Sequence, residues 1–436
     1  MLTAFDIKLA LYLAPMLIIW GLYIRHGHAR QRRAVALRDA ARRDGLDEPA
    51  SLHPVIDPLR CIGCGSCISA CPEHTVLGLI DHKAELINAS ACVGHGACRS
   101  ACPEDAITLV FGTARRGVDI PLVKPNFETN VPGVFIAGEL GGMGLIRNSV
   151  EQGRQAMASI AKLPGVGKGT GLDVVIVGAG PAGFAASLAA MERGLRFVTL
   201  EQDSVGGTVA HFPRGKVVMT APMNLPLYGK VKLTETRKEA LLELWQKVQA
   251  KTGLKINERE RVEEILARGA GFVVRTGRAT YETRAVLLAI GRRGTPRKLE
   301  VPGEDLPKVV YRLADAAQYR GRHVLVVGGG DAALEAAAAL AAEEGATVTL
   351  SYRNGAFSRC KEKNRQQVQT LAAAGRLRLL LQSQVRRITE DSVNLEQKGE
   401  HMILPNDAVV VCAGGVLSTP FLKNIGVEVE TKFGTA

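Results

Sequence analysis

DVVIVGAGPAGFAASLAAMERGLRFVTLEQD, residues 173–203, decides how the chain is read. An apolar strand runs into Gly178-x-Gly180-x-x-Gly183, an Ala-rich helix follows, and a second strand ends at Glu201. Glycines in that pattern allow a tight turn and let a pyrophosphate approach the helix N-terminus, whose backbone N–H groups favour an anion. Glu201, eighteen residues after the last glycine, is placed to accept ribose hydroxyls. A glycine fingerprint alone is weak. Strand, helix and acid together predict a dinucleotide-binding unit.

Residues 323–353, HVLVVGGGDAALEAAAALAAEEGATVTLSYR, repeat the plan with Gly328, Gly330 and Ala333. Here Ser351 stands where the first unit has its acid, and Arg353 and Arg359 follow. Loss of the acid and gain of arginines suit a 2′-phosphate, so NADPH is expected, with NADH as the second choice. A solvated loop would account for the same arginines.

Two such units in series, the second nested between residues 289–305 and 409–415, resemble the thioredoxin-reductase-like flavoproteins. The resemblance implies FAD on the first unit and the nicotinamide on the second. That family closes its flavin site with a final segment of the type T-x-x-P-G-V-F-x-A-G-D. Here TNVPGVFIAGE lies at 129–139, followed by RNSVEQGRQAMASIAK at 147–162, ahead of the first unit. Circular permutation is the simplest account, and it adds Gly138 and Glu139 to the expected flavin contacts. Phe111-Gly-Thr-Ala114 recurring as Phe433-Gly-Thr-Ala436 is an echo across the seam.

Seven of the nine cysteines fall between Cys61 and Cys102. Cys61, Cys64, Cys67 and Cys71-Pro72 have the spacing C-x2-C-x2-C-x3-C-P, and Cys92, His95, Cys98 and Cys102-Pro103 repeat it with His95 in the second slot. Three thiolates two residues apart wrap one face of a cubane while the fourth points to another cluster. Zinc knuckles use longer spacers and no Cys-Pro ending. The segment resembles bacterial two-cluster ferredoxins and implies two 4Fe–4S clusters with crossed ligation. Cys61, Cys64, Cys67 and Cys102 would hold one, and Cys71, Cys92 and Cys98 the other. Imidazole ligation by His95, a three-iron cluster and a water-bound iron all remain open.

The composition agrees. With 436 residues, 46% apolar and 22% charged, the chain can bury several cores and is not a disordered one. The net charge of +12 would admit nucleic acid, but seven arginines against one acid between Arg25 and Arg43 supply half of it. No nucleic-acid partner is expected. Residues 7–24, IKLALYLAPMLIIWGLYI, carry one charge, Lys8, and as a helix would span roughly 27 Å. RHGHARQRR follows at once, so a single-pass anchor is expected, N-terminus outside, with the rest on the cytoplasmic face of the inner membrane. A cleaved signal peptide would show a basic leading region and a small-residue cleavage site, and neither is present.

The expected fold is multidomain: two Rossmann-like α/β dinucleotide-binding domains, a small α+β two-cluster ferredoxin domain and one transmembrane helix. The expected order is anchor 1–28, charged linker helix 29–50, ferredoxin domain 51–110, permuted segment 111–165, FAD domain 166–310, NAD(P) domain 311–415 and a return to the FAD domain at 416–436. Cys360 and Cys412, the cysteines outside the cluster module, are far apart in sequence, so no C-x-x-C serves a disulfide. The expected activity is electron transfer between NAD(P)H, FAD, the clusters and a one-electron carrier such as a ferredoxin, a cytochrome or a quinone-linked complex. Binding residues carry it, with no catalytic side chain, and a homodimer is compatible. The alternatives are a disulfide reductase acting on a small thiol through Cys360, and a redox sensor that holds cofactor without turnover.

Overall fold

The computed structural model describes residues 4–43, 46–49, 52–92, 94, 96–114, 117–142, 144–292, 294–357 and 360–434. His95 and Arg359, both expected at sites, lie outside them. The chain forms two units. One is Met1–Arg116 with Ser358–Glu362 and Phe433–Ala436; the other is Gly117–Phe357 with Lys363–Lys432.

The larger unit holds both dinucleotide folds. Its first sheet centres on Leu172–Val177, flanked in parallel by Phe197–Leu200 and by the far end of Thr280–Leu288. These strands read as unbroken apolar runs because the sheet is covered on both faces. Val134–Ile136 adds a further parallel strand beside Val286, Leu287 and Leu288. The helix Ile146–Ile160 packs on the helix Pro181–Glu192, and Gly153 allows it: a Cβ there would lie 2.0 Å from the Ala182 carbonyl oxygen. At the other end of the chain, Val429–Lys432 pairs antiparallel with Val118–Pro121, and Leu422 and Val427 enter the core beneath the sheet. Residues 118–160 and 419–432 therefore build the same domain as 172–288, although they flank it in sequence.

The second sheet is five-stranded and parallel, in the order Val309–Val310, Ala408–Val411, His323–Val327, Thr347–Tyr352, Arg378–Leu381. The helix Asp331–Ala341 follows its glycine turn.

The smaller unit shows its internal repeat in the backbone. Two short helices, Ser66–Ala70 and Ala97–Ser100, are each preceded by a left-handed glycine, Gly65 and Gly96. Two antiparallel strand pairs, His53–Ile56 with Ile107–Val110 and Leu77–Ile80 with Lys83–Leu86, frame the cysteine loops.

The residues read as anchor and linker form one helix, Ala4–Arg43, whose later part packs within the smaller unit: Ala34 meets Ile80 and Ile87, Gln31 donates to Asp81 (2.7 Å), and Arg38 pairs with Glu85 (3.0 Å). One expectation needs correction, the membrane span. Among the described residues no helix is long and apolar enough to cross a membrane, which overturns the expected single-pass placement. The side chains of the first part of the expected span, 7–12, lie outside the description.

Candidate functional site

The first glycine turn is built for close approach. Val177 ends its strand and Gly178 turns with φ +102°, where a Cβ would meet the Ala289 carbonyl oxygen at 2.5 Å. Gly183 has no room for a methyl group, since a Cβ would lie 1.8 Å from the Gly178 oxygen. Gly180, by contrast, is open on one side, and a Cβ there would meet nothing nearer than the Gly207 Cα at 3.8 Å. That open cradle at a helix start fits a pyrophosphate. Glu201 is 6% exposed and accepts the backbone N–H groups of Ala179 (2.8 Å) and Asp203 (2.9 Å). Burial raises its pKa, and those N–H groups oppose the rise. A carboxylate fixed beside the turn in this way suits ribose hydroxyls.

Residues 138 and 139 meet this turn from the other side. The Gly138 N–H donates to Gln152 Oε1 (2.8 Å), and a Cβ on Gly138 would press on Ala182 at 2.9 Å. Burial pushes the Glu139 carboxyl up, while the Arg292 guanidinium and backbone N–H pull it back. Arg292 itself donates to the Asp119 carbonyl (2.9 Å). The sequence reading missed Arg292, since a basic residue in an AIGRRGTPR loop carries no signal of its own.

In the nicotinamide unit, Gly328 turns beneath the Cys412 carbonyl, which a Cβ would meet at 2.4 Å, and Ala333 lies buried on the helix that follows Gly330. Ser351 is 1% exposed and shares a hydrogen bond with Ser383 (2.7 Å). Arg353 is exposed beside the turn, with no hydrogen bond or ion pair among the described residues. The sequence reading also passed over Tyr352. Its ring fills the space over Gly329, where a Cβ would meet it at 2.2 Å, and it stacks on Phe357 at 5.3 Å.

The cysteines fall into two sets. Cys61, Cys64, Cys67 and Cys102 line one cavity together with Ile56, Ile62 and Pro103. Backbone N–H groups aim at two of its sulfurs, Ala84 at Cys61 (3.5 Å) and Ala106 at Cys102 (3.3 Å). Cys71, Cys92 and Cys98 are buried in one apolar cluster. Burial, with Cys61 adding to it, pushes the Cys67 thiol up to about 11; burial pushes Cys92 to about 11 too, with Cys98 and Cys71 adding. Among the described residues no three His, Cys, Asp or Glu side chains converge tightly enough for a single metal ion. A ring of sulfurs around a void, with N–H groups directed at them, fits a polynuclear cluster instead. Of the remaining cysteines, Cys360 is 3% exposed and Cys412 half-buried at the end of its strand.

These sites define a dinucleotide-binding flavoprotein fold joined to a 4Fe–4S module. Residues 175–435 match the family described as Pyridine nucleotide-disulphide oxidoreductase, and residues 53–103 match the 4Fe-4S dicluster domain. The chain belongs to the pyridine nucleotide-disulphide oxidoreductase family. Bacilliredoxin reductase Bdr of Bacillus subtilis is 28% identical over 266 residues, 60% of this chain and 82% of its own. The ferredoxin–NADP reductase of Ignicoccus hospitalis is 29% identical over 270 residues, 60% of this chain and 83% of its own. A solved bacillithiol disulfide reductase of Staphylococcus aureus superposes with a TM-score of 0.53 at 27% identity, covering 59% of this chain and 81% of that one. The chain is an FAD-dependent pyridine nucleotide oxidoreductase with a 4Fe–4S domain, related to ferredoxin–NADP and thiol disulfide reductases.

Proposed function

We propose that this chain passes electrons between NADPH and a one-electron carrier protein by way of FAD and two 4Fe–4S clusters. The observation that carries the reading is the ring of Cys61, Cys64, Cys67 and Cys102, in a chain whose flavoprotein part has no C-x-x-C. Bound flavin supplies the exchange between a hydride, which brings two electrons, and clusters that take one each. The balance is one NADPH and two oxidised carriers giving NADP+, one proton and two reduced carriers.

The protein's own part is binding and orientation. Gly178, Gly180, Gly183 and Glu201 hold the dinucleotide of FAD, and Gly138 and Glu139 close over it. That closure rests on circular permutation, supported by the parallel pairing of Val134–Ile136 with Thr280–Leu288 and by a family match that begins only at residue 175. Gly328, Gly330 and Ala333 receive the second dinucleotide, and the free guanidinium of Arg353, with Arg359, meets the 2′-phosphate. Cys61, Cys64, Cys67 and Cys102 hold one cluster. Cys71, Cys92 and Cys98 hold the other, with the His95 imidazole as fourth ligand.

The kinship with disulfide reductases favours a second reading, reduction of a small disulfide through Cys360. The burial of Cys360 counts against it. The test is the double variant Cys61→Ser with Cys67→Ser. NADPH should still bleach its flavin, while reduction of one-electron acceptor proteins is lost. Rapid NADPH-dependent turnover of a small disulfide by that variant would overturn the reading in favour of disulfide reduction. Failure of NADPH to bleach the flavin of the parent protein would overturn it in favour of a sensor.

A further inference from the structure

We infer that the mouth of the first cysteine set is the docking face for a small one-electron carrier protein with a basic surface, an inference that rests on the electron-transfer reading above. The two cysteine sets differ in access. Cys64 is exposed, with Cys61 and Cys102 half-buried, whereas Cys71, Cys92 and Cys98 are all buried. Only the first set, among the described residues, opens on solvent.

Around that opening the surface is apolar. Leu59 is 92% exposed and Ile62 is 62% exposed, with Val55 also outward. Single exposed apolar residues are ordinary on protein surfaces. Two of them on the loop that carries Cys61 and Cys64, beside a sulfur-lined cavity, form the centre of a contact face. The loop is preformed. Asp57 takes the Leu59 N–H on its side chain (2.9 Å) and the Cys61 N–H on its carbonyl (3.0 Å), and its own N–H donates to Ala106 (2.8 Å). A loop already rigid loses little entropy on docking.

The rim supplies the sign of the partner. Asp57, Glu104 and Asp105 are exposed there, three acids against the exposed Arg60 and the half-buried Lys83, whose ammonium is held on the Cys61 carbonyl (2.6 Å), on a chain whose net charge is +12. Glu104 also lines the cavity itself. An acidic rim around an apolar centre selects a basic partner and steers it toward the opening. Each docked carrier takes one electron there, and one NADPH serves two of them with release of NADP+ and one proton.

The test uses the cluster-loaded protein with cytochrome c, a small basic haem protein, as probe. Two variants at residues outside the cavity lining are compared with the parent: Leu59→Ser and Asp105→Lys. Iron content and the cluster EPR spectrum check that both variants keep their clusters. Sedimentation should show cytochrome c bound to the parent at low salt, and binding weakened by on the order of tenfold in each variant. NADPH-driven reduction of menadione, a neutral quinone that needs no such face, should be unchanged. Equal cytochrome c binding in all three proteins would overturn the inference. So would a parent that binds no cytochrome c although NADPH reduces its clusters, or a parent dimer that the variants dissociate. If NADPH reduces no cluster in the parent, the electron-transfer reading falls first and this inference with it.

Discussion

The two dinucleotide folds share a strand, a glycine turn and a helix, yet they are closed in different ways. In the flavin fold the helix Pro181–Glu192 is pressed from both sides, by the turn at Gly183 and by the helix Ile146–Ile160 at Gly153. In the nicotinamide fold the corresponding position is already an alanine, Ala333, and the residue covering the turn is a single ring, Tyr352 over Gly329. Glu201 faces backbone N–H groups at the first turn, whereas Ser351 shares a hydrogen bond with Ser383. The difference teaches where each site is rigid. The first is braced by a segment from elsewhere in the sequence, and the second leaves an exposed cation, Arg353, beside its turn.

Substitutions can break that contrast. The largest effect is expected from Gly183→Val, which forces carbon into a space where even a Cβ would lie 1.8 Å from an oxygen. The purified variant should lose nearly all its flavin absorbance relative to protein. Full flavin content would refute the close packing. Gly153→Val should act next most strongly, because it pushes the bracing helix off Ala182. Overpacking of this kind costs roughly 1–3 kcal/mol, so melting temperature and flavin content should both fall, with the nicotinamide unit unaffected in NADPH binding. An unchanged melting temperature would show that the brace does not matter.

Arg353→Ala should raise KM for NADPH about tenfold and leave that for NADH nearly constant, since one charge-assisted contact is worth about 1.5 kcal/mol at an exposed position. Equal effects on both nucleotides would mark the arginine as solvated. Ala333→Gly should do least. It adds backbone freedom in a helix, about 1 kcal/mol of stability, and should leave KM for NADPH within about twofold. A loss comparable to that of Gly183→Val would mean that the two turns are packed alike after all.

Much of this was legible in the sequence because local rules govern it. Both strand–turn–helix units form where their spacing predicts, since glycine geometry acts over a few residues, and a match to the 4Fe-4S dicluster domain falls on the cysteine-rich segment. The TNVPGVFIAGE segment stands apart from the glycine unit in sequence, yet its strand Val134–Ile136 pairs with the end of Thr280–Leu288. Long-range packing was not legible. The hydrogen bond between Ser351 and Ser383, thirty-two residues later, leaves no trace in the local pattern. The helix Ala4–Arg43 reads as anchor plus linker from its composition. The small residues Ala34 and Ala41, two turns apart on one face, were the available signal that its later part packs against something. Arg292 and Tyr352 carry no pattern at all, and only the fold brings them to Glu139 and Gly329.

The most direct test of the central claim is an anaerobic titration of the purified protein with NADPH, followed by visible absorption and low-temperature EPR. The account predicts that the flavin bands bleach and that signals of reduced 4Fe–4S clusters grow in as further NADPH is added. Flavin that bleaches fully while the clusters stay oxidised, even with excess NADPH and time for equilibration, would contradict it.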